Sequence, residues 1–224
     1  MKLITPPGVF RPRSDTWLLA DVLTQTLPRG ARVLDVCTGS GALAVAAALA
    51  GAGEVTAVDV SRRALLATRI NARRNGVALR TLRGDLFEPV GDRRFDLVVS
   101  NPPYLPSVGD RLPRRGRARA WEGGRDGRAL LDRICTAAPR HLRRGGSLLL
   151  VHSSVCDPQE TVRRLRMEGL AARPVARRRG PLGPLLAARA DRLAARGLPL
   201  PGGHEELVVI RAVRAAGADG AAAA

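Results

Sequence analysis

A chain of 224 residues is long enough for one domain with a substantial core, and it holds no run of about 18 apolar residues that would mark a membrane span. The formal charge of +17 invites a nucleic-acid partner, but Lys2 is the only lysine among 37 basic residues and Ala, Gly and Pro are abundant, so the charge reads largely as an arginine bias over the whole surface. The run from Arg111 to Arg128 stands out from that background. Cys37, Cys135 and Cys156 are scattered and odd in number, which argues against a disulfide framework and for a reducing compartment, the cytoplasm. They lack metal-ligand spacing, so no metal site is expected. The opening MKLITPPGVF is too short in apolar residues, and too rich in proline, for a secretory signal.

Residues 1–30 read as a lead-in segment with one helix at about 15–27, capped by Ser14 or Asp15. A short apolar strand (32–36) leads into an alanine-rich helix (41–53) that ends in glycine. A second strand (54–60) is followed by a helix (61–76) with Ser61 as N-cap and Gly76 just past its end. Strands are expected at 78–85 and 95–100, then a helix at 126–142 that Pro139 should break early. A strand (146–154) and a helix (157–170) with Asp157 as cap and Pro158 in its first turn come next. A weak strand at 171–177, a helix at 182–197 and a strand at 205–214 close the pattern. The segment 215–224 is low-complexity and reads as a disordered tail. Strands alternating with helices imply an α/β domain over 31–214, a parallel sheet covered on both faces.

Two motifs carry chemistry. In DVCTGSGALAV, Gly39 and Gly41 let the backbone approach a ligand closely. The spacing departs from Gly-x-Gly-x-x-Gly, and Asp35 faces the loop, where it would repel a pyrophosphate and favour a cationic cofactor such as S-adenosylmethionine. Asp59 ends the second strand and can accept ribose hydroxyls. Asp85 ends the third and can accept an adenine amino group, with Leu86 against the ring. Any one such Asp is as readily a turn cap, but three at successive strand ends lie on the rim where parallel sheets bind ligands.

The second motif, Asn101-Pro102-Pro103-Tyr104, ends the fourth strand, since two prolines cannot continue a ladder. The Asn101 side-chain oxygen and the Pro102 carbonyl can accept the two hydrogens of a planar NH2 group, at angles fixed by the prolines. The nitrogen lone pair then turns toward a methyl donor, and Tyr104 can pack its ring on a planar amide or base. On its own, the motif leaves a strand-terminating Pro-Pro turn as the lesser reading.

DVCTGSGAL with SNPPY resembles the class I S-adenosylmethionine-dependent methyltransferases that modify planar nitrogen. With 8–19 (GVFRPRSDTWLL) and 120–134 (AWEGGRDGRALLDRI) the likeness narrows to the HemK-type glutamine methyltransferases, in a short form without the N-terminal helical domain. The resemblance implies a Rossmann-like sheet of seven mostly parallel strands with the last antiparallel, and helices on both faces. It implies methyl transfer to the side-chain amide of the glutamine in the Gly-Gly-Gln motif of a peptide chain release factor. Around the cofactor it puts Thr16, Asp35, Cys37, Thr38, Gly39, Gly41, Asp59, Val60, Asp85, Leu86 and Asn101, with Asn101 to Tyr104 holding the target. A small zinc-binding activator subunit, needed by some relatives, stays open. Methylation of adenine N6 or cytosine N4 in RNA or DNA stays open as the alternative, disfavoured because 105–125 is short for a target-recognition region. Phe10, Trp17, Tyr104 and Trp121, four of six aromatics, fall in the matched segments and suggest a lined pocket, or equally a packing cluster for the lead-in helix. Residues 180–204 are longer than the resemblance accounts for.

Overall fold

The computed structural model describes residues 1–107, 112–113, 116–198 and 203–216. Seven strands form one sheet in the order β3-β2-β1-β4-β5-β7-β6. They are β1 Arg32–Val36, β2 Glu54–Asp59, β3 Arg80–Arg83, β4 Phe95–Ser100, β5 Leu142–Ser153, β6 Leu170–Pro181 and β7 His204–Arg214. The pairs from β3 to β5 are parallel, and β7 runs antiparallel to both β5 and β6. The sheet that the resemblance implies is thus the sheet that forms.

Both faces are apolar because the inner strands carry apolar residues at successive central positions while their side chains alternate in direction. Val33, Leu97, Val99 and Leu149 point to one face, where α1 (Ser14–Thr26) contributes Leu19 and Leu23 and α2 (Ala42–Leu49) contributes Leu43 and Ala47. Leu34, Val98, Leu148 and Leu150 point to the other, against Leu131 and Ile134 of α4 (Ala129–His141) and Val162 and Leu165 of α5 (Pro158–Met167). α3 (Arg62–Arg74) follows β2, capped by Ser61, whose side chain accepts from the Ala64 amide. The chain crosses from the β1–β2–β3 half to the β4–β5 half at β1, and the cleft opens at the carboxyl ends of the strands there.

Several boundaries differ from the sequence expectations. α1 begins at Ser14, and neither Ser14 nor Asp15 caps it: Arg13 is the N-cap and no side chain closes that end. Pro139 does not break α4, which continues to His141. It forfeits one ladder bond in the last turn, and Arg214 Nη1 donates to the carbonyls of Pro139 and Leu142 at 3.1 and 2.8 Å, satisfying that end. α4 starts at Ala129 rather than 126, because Gly127 takes φ +80°. The helix expected at 182–197 is two short ones, α6 (Pro184–Ala187) and α7 (Ala190–Ala194), broken near Arg189, whose ψ of −1° leaves the helical range. β6 is longer than expected because its ladder with β7 continues to Pro181, and β5 starts earlier, at Leu142, which pairs with Phe95 of β4. Among the described residues no helix is long and apolar enough to cross a membrane, and no group of His, Cys, Asp and Glu could hold a metal ion. The tail from 217, and Arg111, Arg114 and Arg115 of the arginine-rich run, lie outside the described residues.

Candidate active site

A cleft of about 1350 Å³ runs along the carboxyl edge of the sheet. One half is lined by Cys37 to Ser40 after β1, Asp59 to Ala64 after β2 and Gly84 to Leu86 after β3. The other half is lined by Asn101 to Leu105 after β4, by Trp121 and by the 181–186 segment, with Glu205. Residues 7–16 of the lead-in segment line it from above the first half to the second. That segment is anchored by two asparagines one helical turn apart, Asn71 of α3 and Asn75 at its C-cap. Asn71 donates to the Ile4 carbonyl at 2.9 Å and accepts from the Ile4 amide at 2.8 Å, and Asn75 pairs Lys2 the same way. Asn71 also donates to the Ser40 carbonyl at 2.9 Å, so one buried side chain joins the lead-in to the glycine loop.

The glycine loop is held from beneath. Asp35 is fully buried and does not line the cleft. Its Oδ2 accepts from Thr38 Oγ1 at 2.6 Å and from the Ala44 amide at 3.1 Å, which fixes the loop and the start of α2. Its Oδ1 has no partner among the described residues. Burial pushes its carboxyl up to about 7, against the lowering effect of the Thr38 and Ala44 donors. Asp59 lines the cleft and accepts from the Gly39 amide at 2.9 Å and the Ser61 amide at 2.8 Å. Burial raises its pKa too. Each of its oxygens keeps a second lone pair for a ligand. Asp85 lines the cleft but already faces Arg133 of α4, 2.8 Å away, in an exposed pair of small energetic weight.

Gly41 does not line the cleft either. At φ +80° its missing Cβ would lie 2.7 Å from the Thr68 methyl, so this glycine lets α3 approach the loop. Thr38, Gly39 and Val60 do line it. Two further lining residues, Cys37 and Leu86, sit in the left-handed region at φ +61° and +49°. Non-glycine residues held there cost about 1–2 kcal/mol and cluster at functional sites.

The loop after β4 is the most tightly braced part of the cleft. Ser100 Oγ donates to the Val36 carbonyl at 2.7 Å, tying the ends of β4 and β1 together. Asn101 Nδ2 donates to Thr16 Oγ1 at 3.0 Å, and the Tyr104 hydroxyl donates to Asp15 Oδ2 at 2.8 Å. Tyr104 is nearly buried, and burial together with the adjoining Asp15 charge pushes its hydroxyl well above its usual pKa, so it acts as a neutral donor. Beneath it lies the 123–127 turn. A Cβ at Gly123 would come within 2.8 Å of the Pro103 carbonyl, and one at Gly127 within 2.2 Å of the Tyr104 carbonyl. Cys156 Sγ donates to that same carbonyl at 3.0 Å. Arg128, buried, donates to the carbonyls of Cys156 and Asp157, to Thr161 Oγ1 at 3.1 Å and to Asp132 at 2.8 Å, locking this layer to α5.

Of the aromatics singled out, Phe10, Tyr104 and Trp121 line the cleft, whereas Trp17 is 39% exposed and away from it. Sequence reasoning missed Asn71, Arg128 and Arg133. A polar residue at a buried position of an otherwise apolar helix face was the signal for Asn71. Arg133 pairs with Asp85, remote in the chain, and of Arg128's partners only Asp132, four residues on, is local.

A family model for the methyltransferase small domain matches residues 1–111. A Methanocaldococcus jannaschii chain assigned as a protein N5-glutamine methyltransferase is 33% identical over 193 residues, covering 86% of this chain and 96% of that one. The chain belongs to the protein N5-glutamine methyltransferases. The release factor glutamine methyltransferase of Geobacter sulfurreducens is 38% identical over 157 residues, 67% of this chain. Of that longer chain this one spans 55%. The solved E. cuniculi Mtq2–Trm112 complex, responsible for the methylation of the eRF1 translation termination factor, matches with TM-score 0.64 over 93% of this chain and 99% of that one. At 23% identity this is a likeness of fold.

Proposed function

We propose that this chain transfers a methyl group from S-adenosylmethionine to the side-chain amide nitrogen of the glutamine in the Gly-Gly-Gln motif of a peptide chain release factor. The observation that carries the reading is the braced Asn101–Tyr104 loop, with Asn101 donating its NH2 to Thr16 and so keeping its carbonyl oxygen as a free acceptor. That oxygen and the Pro102 carbonyl would take the two N–H bonds of the target amide, which prevents its nitrogen lone pair from turning away. Hydrogen bonding to both hydrogens also supports the positive charge that grows on the nitrogen, and one proton is then released to water. Because both acceptors are set before the target arrives, little ordering is left for the reaction itself.

The cofactor half of the cleft fits a nucleoside bearing a cation. Asp59 would take the ribose hydroxyls on its remaining lone pairs, Asp85 and Leu86 the adenine, and Thr38 to Ser40 the amino-acid portion, with Cys37 and Val60 alongside; the Thr16 hydroxyl is engaged by Asp15 and Asn101 rather than left for the cofactor. Asp35 and Gly41 would act from below, holding the loop rather than touching the ligand. S-adenosylmethionine supplies an electrophilic methyl on a sulfonium. The volume of the cleft suits a nucleoside and an inserted side chain together. The chain would work in the cytoplasm, and a small activator subunit is a partner to test for.

The test is to incubate purified chain with a class I release factor and isotope-labelled cofactor, with and without added cell extract to supply any activator, and to map the label by mass spectrometry. Label on the Gly-Gly-Gln glutamine is the expected result. Label on RNA with none on protein would overturn it.

A further inference from the structure

We propose that Asp15 and Thr16 are positioning residues that fix which end of the Asn101 amide faces the target; the inference rests on reading 101–104 as the target-holding loop. Four side chains form one hydrogen-bonded path. Asn101 Nδ2 donates to Thr16 Oγ1 at 3.0 Å, Thr16 Oγ1 donates to Asp15 Oδ1 at 3.2 Å, and the Tyr104 hydroxyl donates to Asp15 Oδ2 at 2.8 Å. The Thr16 amide donates to Asp15 Oδ1 as well, at 2.6 Å.

The polarity of the path is set at its end, because a carboxylate only accepts. Thr16 has a single hydroxyl proton and spends it on Asp15. What it offers Asn101 is therefore a lone pair, which only the NH2 end of the amide can meet. The carbonyl oxygen is thereby turned the other way and serves as the acceptor. An asparagine without such a neighbour rotates freely between two nearly isosteric orientations. The wrong one would set NH2 against the NH2 of the target, donor against donor. Asp15 and Thr16 are 4% and 5% exposed, so water does not compete for these bonds, and low local dielectric strengthens each of them. The path also joins both ends of the loop, Asn101 and Tyr104, to the first turn of α1.

Three variants separate this from a general structural role. Thr16→Val keeps the shape and removes the hydroxyl. Thr16→Ser keeps the hydroxyl. Asp15→Asn is isosteric; the Thr16 amide holds its oxygen at the Oδ1 site, so its NH2 falls on the Tyr104 hydroxyl and the Thr16 end of the path is kept. At saturating cofactor and release factor, Thr16→Val should lower kcat about tenfold, the worth of one buried hydrogen bond of this kind. Cofactor affinity by calorimetry should stay within about twofold, Thr16→Ser should recover most of the loss, and Asp15→Asn, which leaves the Thr16 hydroxyl its acceptor, should keep more activity than Thr16→Val. Independently of turnover, NMR of the wild-type protein should show one Asn101 Nδ2 proton protected from exchange and both unprotected in Thr16→Val. A Thr16→Val enzyme with the kcat of Thr16→Ser would overturn the inference, as would a defect confined to cofactor affinity or unchanged Asn101 exchange. If the wild-type chain methylates no glutamine, the functional reading fails; the NMR result still decides whether the path orients Asn101.

Discussion

Replacing Gly127 by alanine tests how the 123–127 turn supports the target loop. The added Cβ would lie 2.2 Å from the Tyr104 carbonyl oxygen and 2.7 Å from Cys156 Sγ, at a φ of +80°. The left-handed backbone costs alanine roughly 1–2 kcal/mol. Relief of the clash demands a shift of roughly 1 Å, and overpacking of that kind costs about 1–3 kcal/mol more. The sum, about 3 kcal/mol, is a large share of the stability of an ordinary domain. Gly169 provides the control, since it has the same φ of +80° with nothing within 4 Å of its missing Cβ. Gly169→Ala should therefore show the backbone cost alone, leaving Gly127→Ala less stable by about 2 kcal/mol in urea unfolding. The displaced atoms belong to the loop proposed to hold the target, so Gly127→Ala should also lose methyl transfer by about 100-fold, the usual consequence of a 1 Å misplacement. Equal stability of the two variants, or a wild-type rate in Gly127→Ala, would refute the reasoning.

Asp35 makes stability depend on pH. Its folded pKa, about 7, lies above the ordinary 3.8, so the folded state holds the proton more tightly and stability falls as pH rises from about 4 to about 7. The slope is at most about 1.4 kcal/mol per pH unit, and urea midpoints of Asp35→Asn should lack it over that window; parallel profiles would contradict this. Cys37→Gly should be neutral or raise stability by up to about 1 kcal/mol, because glycine adopts the φ of +61° without strain, and a lowered melting temperature would show that the side chain matters more. Arg189 donates to the Pro106 carbonyl at 3.0 Å and to Glu122 at 2.8 Å, joining the α6–α7 segment to the chain just after the target loop. Arg189→Ala should raise KM for an intact release factor about fivefold while leaving cofactor affinity unchanged, as loss of one or two partly buried hydrogen bonds requires. A change in cofactor affinity instead would count against that division of the cleft.

What was legible in the sequence was whatever is encoded locally. The apolar runs of β1, β2, β4 and β5 sit between glycine and helix-cap signals, and Ser61 and Asp157 cap α3 and α5 as their positions suggest. The two motifs stood out because glycine and proline leave few backbone choices. Legibility ended where partners are distant in the chain. The length of β6 depends on β7, and Asn71 meets residues 67 and 31 positions away. Asp15, which looks like a helix cap, spends its carboxylate on Tyr104, 89 residues on. Asp35, expected to face a ligand, is buried beneath the loop because the penultimate residue of β1 points into the layer between sheet and helix rather than over the edge. The 123–127 glycines could be matched as a motif, but only the packed structure shows that they exist to let the Pro103 and Tyr104 backbone pass.

The most direct measurement is a crystal structure of this chain with S-adenosylhomocysteine and a Gly-Gly-Gln peptide. The glutamine amide nitrogen should lie within hydrogen-bond distance of both Asn101 Oδ1 and the Pro102 carbonyl, on the side of the cleft facing the cofactor sulfur. A glutamine bound elsewhere, or an Asn101 that turns its NH2 toward it, would contradict the account.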